Sequence, residues 1–194
     1  MSNVVLVPGI FDSPVIFRSM SGFLHERGWT PLTPRLSPND GSDGLEKLAE
    51  QLKAFVDERI EPEQRFDLVG YSMGGLVSRY YLQRLGGLRR VRRFITLAAP
   101  HNGSYMAYLL PNRGGEQMRP GSAFIEDLNR DVVMLEQVDF VSLWTPWDLS
   151  IVPARSSVLP VGRDLQVAVA AHPLMVLSRR SQQEVVRLLG EPFR

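Results

Sequence analysis

Phe66-Asp67-Leu68-Val69-Gly70-Tyr71-Ser72-Met73-Gly74-Gly75 is the stretch on which the reading of this chain turns. Its first half is a short, mostly apolar run closed by a glycine, the pattern of a strand buried inside a sheet. Its second half is G-x-S-x-G with one more glycine, leading into Leu76-Val77-Ser78-Arg79-Tyr80-Tyr81-Leu82, whose apolar residues recur at helical spacing. A serine in a tight turn between strand and helix is forced into a strained backbone conformation. The residues flanking it must be small because strand and helix approach closely there, and Gly70 and Gly74 meet that need. The turn lifts the Ser72 hydroxyl clear of the sheet and sets it near a helix N-terminus, where amide N–H groups favour negative charge. Ser72 is therefore the candidate nucleophile.

The stretches on either side read as alternating strands and helices. Val4 to Val7 is a continuous apolar, β-branched run ended by Pro8-Gly9, as expected of a central strand covered on both faces. Ser13-Pro14 opens a helix over Val15 to Glu26, and Trp29 to Pro34 is a short edge strand. Leu45 to Ile60 carries apolar residues at Leu45, Leu48, Leu52, Phe55, Val56 and Ile60, an amphipathic helix stopped by Pro62. Val91 to Ala99, Phe140 to Trp144 and Leu165 to Ala170 are further strands, and Ser181 to Leu189 is a closing helix. His101 to Met134 is the longest irregular stretch, with helical patterns at Tyr105–Leu110 and Ala123–Leu128. Arg89, Arg90, Arg92 and Arg93 read as a solvated loop and strand entrance. Strands alternating with helices imply a parallel sheet covered on both faces.

Composition narrows the function. The 194 residues suggest one domain spanning 1–194, and 44% hydrophobic with 22% charged residues is ordinary for a globular protein. A net charge of +1 gives no sign of a nucleic-acid partner. With no cysteine there is neither a disulfide, a thiolate zinc site nor a cysteine nucleophile. The N-terminal residues lack the basic and apolar regions of a signal peptide, and no run reaches the roughly 18 apolar residues that span a bilayer, so the expected location is cytoplasmic.

A serine hydroxyl needs an imidazole to take its proton and a carboxylate to fix that imidazole's tautomer. Three histidines are available. His25 lies at the end of the first helix, and His101 follows a strand end and could border the site. His172 opens the last loop after a strand and is the candidate base. Asp148 follows the strand Phe140–Trp144, on a loop at the correct edge of the sheet, and is the candidate acid. Asp139 and Asp164 precede their strands, Asp164 as a turn residue, and Asp127 and Asp131 fall in the weakly helical insert as solvated groups. Two N–H donors are needed for the tetrahedral oxyanion. The amide of Met73 follows the nucleophile, and the loop after the first strand offers Ile10, with Phe11 second. Phe11, Tyr71 and His101 are the candidate substrate-binding residues.

With the order Ser72, Asp148, His172, the chain resembles the α/β-hydrolase superfamily, and within it the small bacterial lipases and esterases. The motifs that carry the resemblance are Val4-Val5-Leu6-Val7-Pro8-Gly9-Ile10, the elbow at Gly70–Gly75, Thr96-Leu97-Ala98-Ala99-Pro100-His101-Asn102-Gly103-Ser104, and Asp148 followed by Ile151-Val152. Two positions depart from the family pattern. Pro8 stands where lipases carry the histidine of His-Gly, and Pro173-Leu174 follows His172 where relatives often have a small residue. The resemblance implies a minimal α/β-hydrolase fold, a mostly parallel central sheet with helices on both faces; the family's large lid domains are absent, since His101 to Met134 is too short for one. It also implies hydrolysis of small-molecule acyl esters through an acyl-enzyme on Ser72, with no cofactor and no metal. A thioesterase or acyltransferase would use the same three residues, and a non-catalytic binding protein of this fold is the reading from another class.

Overall fold

The computed structural model describes residues 2–192. In chain order it comprises β1 (Ser2–Val7), a 3₁₀ turn (Pro14–Phe17), α1 (Arg18–His25), β2 (Trp29–Leu32), α2 (Leu45–Arg59), β3 (Phe66–Tyr71) and α3 (Met73–Arg84). Then follow β4 (Val91–Leu97), a 3₁₀ helix (Tyr105–Leu109), α4 (Arg113–Gln117), α5 (Ala123–Arg130) and a second such helix (Val132–Gln137). β5 (Asp139–Trp144), β6 (Arg163–Gln166), α6 (Leu174–Leu177) and α7 (Arg179–Leu189) complete it.

The six strands form one sheet in the order β2-β1-β3-β4-β5-β6, and every neighbouring pair is parallel. From β1 the chain moves outward to β2, returns past β1 to β3, and then proceeds toward the other edge. The direction reverses between β1 and β3, and a crevice opens at their C-terminal ends, where open α/β sheets receive ligands. Val7 stands opposite Gly70 in the register of these two strands, so the loops after β1 and β3 start side by side.

The strands are apolar on both faces, and their alternation divides the interior in two. Val5, Val7 and Leu68 point into a cluster built by α2, α3 and the insert after β4, with Leu45, Leu48, Leu52 and Val56 of α2 packed against it. Burying each of these α2 side chains contributes about 1.5–3 kcal/mol. Val4, Leu6 and Val69 point the other way, onto Met20 and Leu24 of α1 and Val185 and Leu188 of α7.

The sequence reading needs correction at several places. The first helix opens with the 3₁₀ turn at Pro14, and the stretch 165–170 keeps its ladder only to Gln166. Asp164 lies within β6 and accepts from Trp144 Nε1 at 3.0 Å, so it is not a turn residue. Asp127 and Asp131 remain more than a third exposed, and each is also paired with Arg84 at 2.9 Å. Of the arginines before and in β4, Arg89 is exposed as expected, but Arg90, Arg92 and Arg93 are not a solvated entrance. Arg93 is fully buried, donating from Nε to Asp139 at 2.9 Å and from Nη2 to the Glu191 carbonyl at 2.9 Å. Arg92 donates to buried Asp67 at 2.8 Å, and Arg90 to the carbonyls of Ile60 and Glu61. A buried charge persists only when paired in this way. No helix among the described residues is long and apolar enough to cross a membrane.

Candidate active site

The elbow has the conformation its glycines suggested. Ser72 sits at φ 53°, ψ −126°, between the end of β3 and the first residue of α3. This left-handed backbone is costly for any residue with a β-carbon, and such strain persists where surrounding structure imposes it. The imposition is visible. A β-carbon on Gly74 would lie 2.5 Å from the Pro8 carbonyl oxygen, and one on Gly70 would lie 2.7 Å from Gly75 Cα. The Ser72 amide is anchored by the Leu97 carbonyl at 2.9 Å. Met73, at the start of α3, has a fully buried side chain, which leaves its backbone amide as the candidate oxyanion donor.

Asp148 and His172 come together from the loops after β5 and β6. His172 Nδ1 lies 2.7 Å from Asp148 Oδ2. The other carboxylate oxygen accepts from the amides of Ser150 and Ile151, both at 2.9 Å, in a turn that fixes the aspartate's orientation. Thr145 donates to the Val169 carbonyl at 2.6 Å, tying the aspartate loop to the histidine loop. Ser104 braces the same region, accepting from the Val152 amide at 2.9 Å and donating to the Ser150 carbonyl at 2.9 Å. The His172 ring packs against Tyr71, centroids 5.0 Å apart. Ser72 and His172 line one cavity of about 450 Å³, and no hydrogen bond joins them among the described residues.

The rest of that cavity has apolar and polar lining. Ile10, Phe11, Met106, Leu109, Leu110 and Met118 supply much of the apolar wall. Phe11 is 67% exposed and at φ 62°, so its ring lies at the mouth and not in the core. Its amide donates to the Asn39 carbonyl at 2.7 Å, which removes Phe11 as an oxyanion donor and keeps Ile10 as the candidate on this loop. Asn39 also donates from Nδ2 to the carbonyls of Gly9 (2.6 Å) and Asp12 (2.7 Å), clamping the loop from a distance in sequence. Asp12 stands with Tyr71 and His172 in the polar lining. Partial burial raises its carboxyl, and His172 opposes that shift. Burial, with Asp12 and Asp148 nearby, raises the Tyr71 phenol, which stays neutral.

Asp12 and Asn39 were missed in the sequence. Asp12 could have been found, being the acid on the loop at the C-terminal end of β1. Asn39 gave no signal, since its partners are about 30 residues away.

His101 is not part of the site. It is fully buried behind it, its Nε2 3.1 Å from Thr96 Oγ1 and its ring edge-on to Phe140. Thr96 donates on to Ser142, and Ser142 to the Ser157 carbonyl, so His101 carries its proton on Nε2. Burial, reinforced by Arg79, holds His101 neutral well below its ordinary range. Asp139 is the first residue of β5, at the sheet edge opposite the site, as expected. His25 is exposed at the end of α1. No group of three or more His, Asp or Glu residues is arranged to hold a metal among the described residues.

An all-parallel sheet with a strained serine at the β3–α3 turn defines an α/β-hydrolase, and solved structures agree on the fold. The chain aligns with the mature lipase BlEst2 of Bacillus licheniformis at a TM-score of 0.79 and 18% identity, covering 97% of this chain and 91% of that one. With Aspergillus fumigatus lipase B the TM-score is 0.82 at 18% identity, over 99% of this chain and 53% of the other. Residues 4–138 match the palmitoyl protein thioesterase family, and the chain belongs to that family. Its mouse and human relatives, each described as lysosomal thioesterase PPT2, are 31% and 32% identical over 106 residues. That alignment covers 53% of this chain and 35% of each relative, so the chain spans about a third of their length in common.

Proposed function

We propose that this protein is a serine hydrolase of carboxylic acyl esters and thioesters, with Ser72 as nucleophile, His172 as base and Asp148 as its orienting acid. The observation that carries the reading is a left-handed serine opening into the cavity that also holds an imidazole bonded to a buried carboxylate at 2.7 Å. With Nδ1 committed to Asp148, His172 offers Nε2 to the serine. Ser72 Oγ bonds to the acyl carbon as its proton passes to Nε2. That proton then goes to the departing oxygen or sulfur as the acyl–leaving-group bond breaks. Water repeats the sequence on the acyl-enzyme, releasing the acid and restoring Ser72. The amides of Ile10 and Met73 stabilise the oxyanion. The apolar wall of the cavity receives the acyl chain.

Membership of the palmitoyl protein thioesterase family favours thioesters within this class over the oxygen esters that sequence motifs alone suggested. The test compares p-nitrophenyl esters from acetate to palmitate with matched S-acyl thioesters, using wild type and Ser72→Ala. Turnover that rises with chain length, is faster for thioesters and is absent from the variant is expected. Equal hydrolysis by Ser72→Ala would exclude this chemistry.

A further inference from the structure

The cavity holds one carboxylate that the mechanism does not use. Asp12 and Ser72 are neighbours across Gly9: a β-carbon on that glycine would lie 2.9 Å from Asp12 Oδ2 and 3.1 Å from Ser72 Cβ. The acid is held in place through its backbone, its amide donating to Gly9 and its carbonyl accepting from Asn39 Nδ2 at 2.7 Å. Among the described residues no lysine or arginine lines the cavity, and its ionisable lining groups are Asp12, Tyr71 and His172. Asp12 thus shares the cavity with the nucleophile and His172, where a leaving group on the reacting carbonyl comes within reach of its charge.

We propose that Asp12 is a specificity residue for the leaving group, its carboxylate favouring alcohols and thiols that carry a cation or N–H donors beside the scissile bond and disfavouring anionic ones. The inference rests on the serine-hydrolase reading and adds to it the electrostatic side of substrate choice. Asp12 transfers no proton. Its charge acts on a leaving group a few ångströms away, in a partly desolvated cleft where His172 is the group that opposes it. A thiol carrier bearing phosphates is thereby a poor leaving group for this enzyme, and a thiol flanked by peptide N–H groups a good one.

Three octanoyl esters of similar size test this: those of choline (cationic), tert-butylethanol (neutral) and isethionate (anionic). At pH 8 and low salt, kcat/KM for wild type should fall from choline to neutral to isethionate. In Asp12→Asn the choline-to-isethionate ratio should shrink by about tenfold, the size expected for one charge acting across a partly screened cleft. Asp12→Glu should keep the preference. Added salt should lower the ratio in wild type, which reads the same charge without any substitution. An Asp12→Asn protein that is folded and labelled by a fluorophosphonate yet retains the wild-type ratio overturns the assignment, as does a wild-type ratio indifferent to salt. If wild type itself is not labelled at Ser72, the hydrolase reading fails and this inference falls with it.

Discussion

At the scale of the residue, the fold separates side chains that line the cavity from those that only resemble candidates. His172 and His101 both follow strands at the same sheet edge, yet one lines the cavity and the other is sealed beneath it. His172→Ala should therefore abolish ester turnover with little change in melting temperature. His101→Ala should leave most turnover in the surviving fold while lowering its stability, a contrast that parallel rate and melting measurements resolve. Asp148→Asn should keep the fold but favour the wrong imidazole tautomer, reducing kcat by about a thousandfold or more. The serine, the histidine and the acid were legible because each sits directly after an apolar run, and the run's end fixes the edge. Asp12 was passed over because the search for an acid looked only between nucleophile and base. The buried arginines were misread for a different reason. A run of like charges says nothing about partners, and Asp67, Asp139 and the Glu191 carbonyl come from distant parts of the chain.

At the scale of the element, what matters is how loops are tied to one another. β1 ends at Val7, and the five residues that follow would be free without Asn39, whose side chain and carbonyl hold Gly9, Phe11 and Asp12 together. Asn39→Ala should loosen the Ile10 amide, lowering kcat by up to about a hundredfold with KM for short esters little changed. Steady-state kinetics on p-nitrophenyl butyrate would decide it, and an unaltered kcat would mean that the loop is ordered by other contacts. Regular elements with continuous apolar faces, such as β1, β3, β4 and α2, were readable to within a residue or two. The segment between β4 and β5 was only partly so. α4 carries two glycines in five residues and has no periodic pattern, and its start is set by the Asn112 side chain accepting from the Gly115 amide at 2.9 Å. The last strand stops early because Val169 turns back to its own neighbour, its amide donating to the Val167 carbonyl at 2.8 Å instead of to a strand. Its apolar composition hid that turn.

For the whole molecule, the buried charges link distant elements. Asp139 joins Arg93 and Arg163 across β4, β5 and β6, and Arg163 reaches on to Glu191 after α7. Asp139→Ala removes one carboxylate partner of a fully buried guanidinium and should destabilise the protein by up to about 3–5 kcal/mol in urea unfolding while leaving the site untouched. His101 makes stability depend on pH. Its folded-state affinity for protons lies well below its ordinary value of 6.5. Below pH 6.5 the unfolded chain takes up a proton that the folded protein refuses. The stability that neutral His101 preserves is thus complete above that pH and is lost on acidification, at up to about 1.4 kcal/mol per pH unit. Replacing His101 with Gln should flatten the fall in melting temperature between pH 7 and pH 5. An equally steep fall in that variant would assign the acid sensitivity to other groups.

The sheet also works as a partition. Because its side chains alternate between two interiors that do not mix, a void opened on one side is not felt on the other. Leu24→Ala beneath α1 and Leu52→Ala beneath α2 should each cost about 2–5 kcal/mol. Together they should cost the sum, with a coupling energy within about 0.5 kcal/mol of zero. Each half of the interior is in that sense a separate evolutionary ledger. Both halves reach the site, Met73 and Met118 from the side beneath α2 and α3 and Tyr71 and Ile151 from the side beneath α1 and α7, so each can be tuned for catalysis without disturbing the packing of the other.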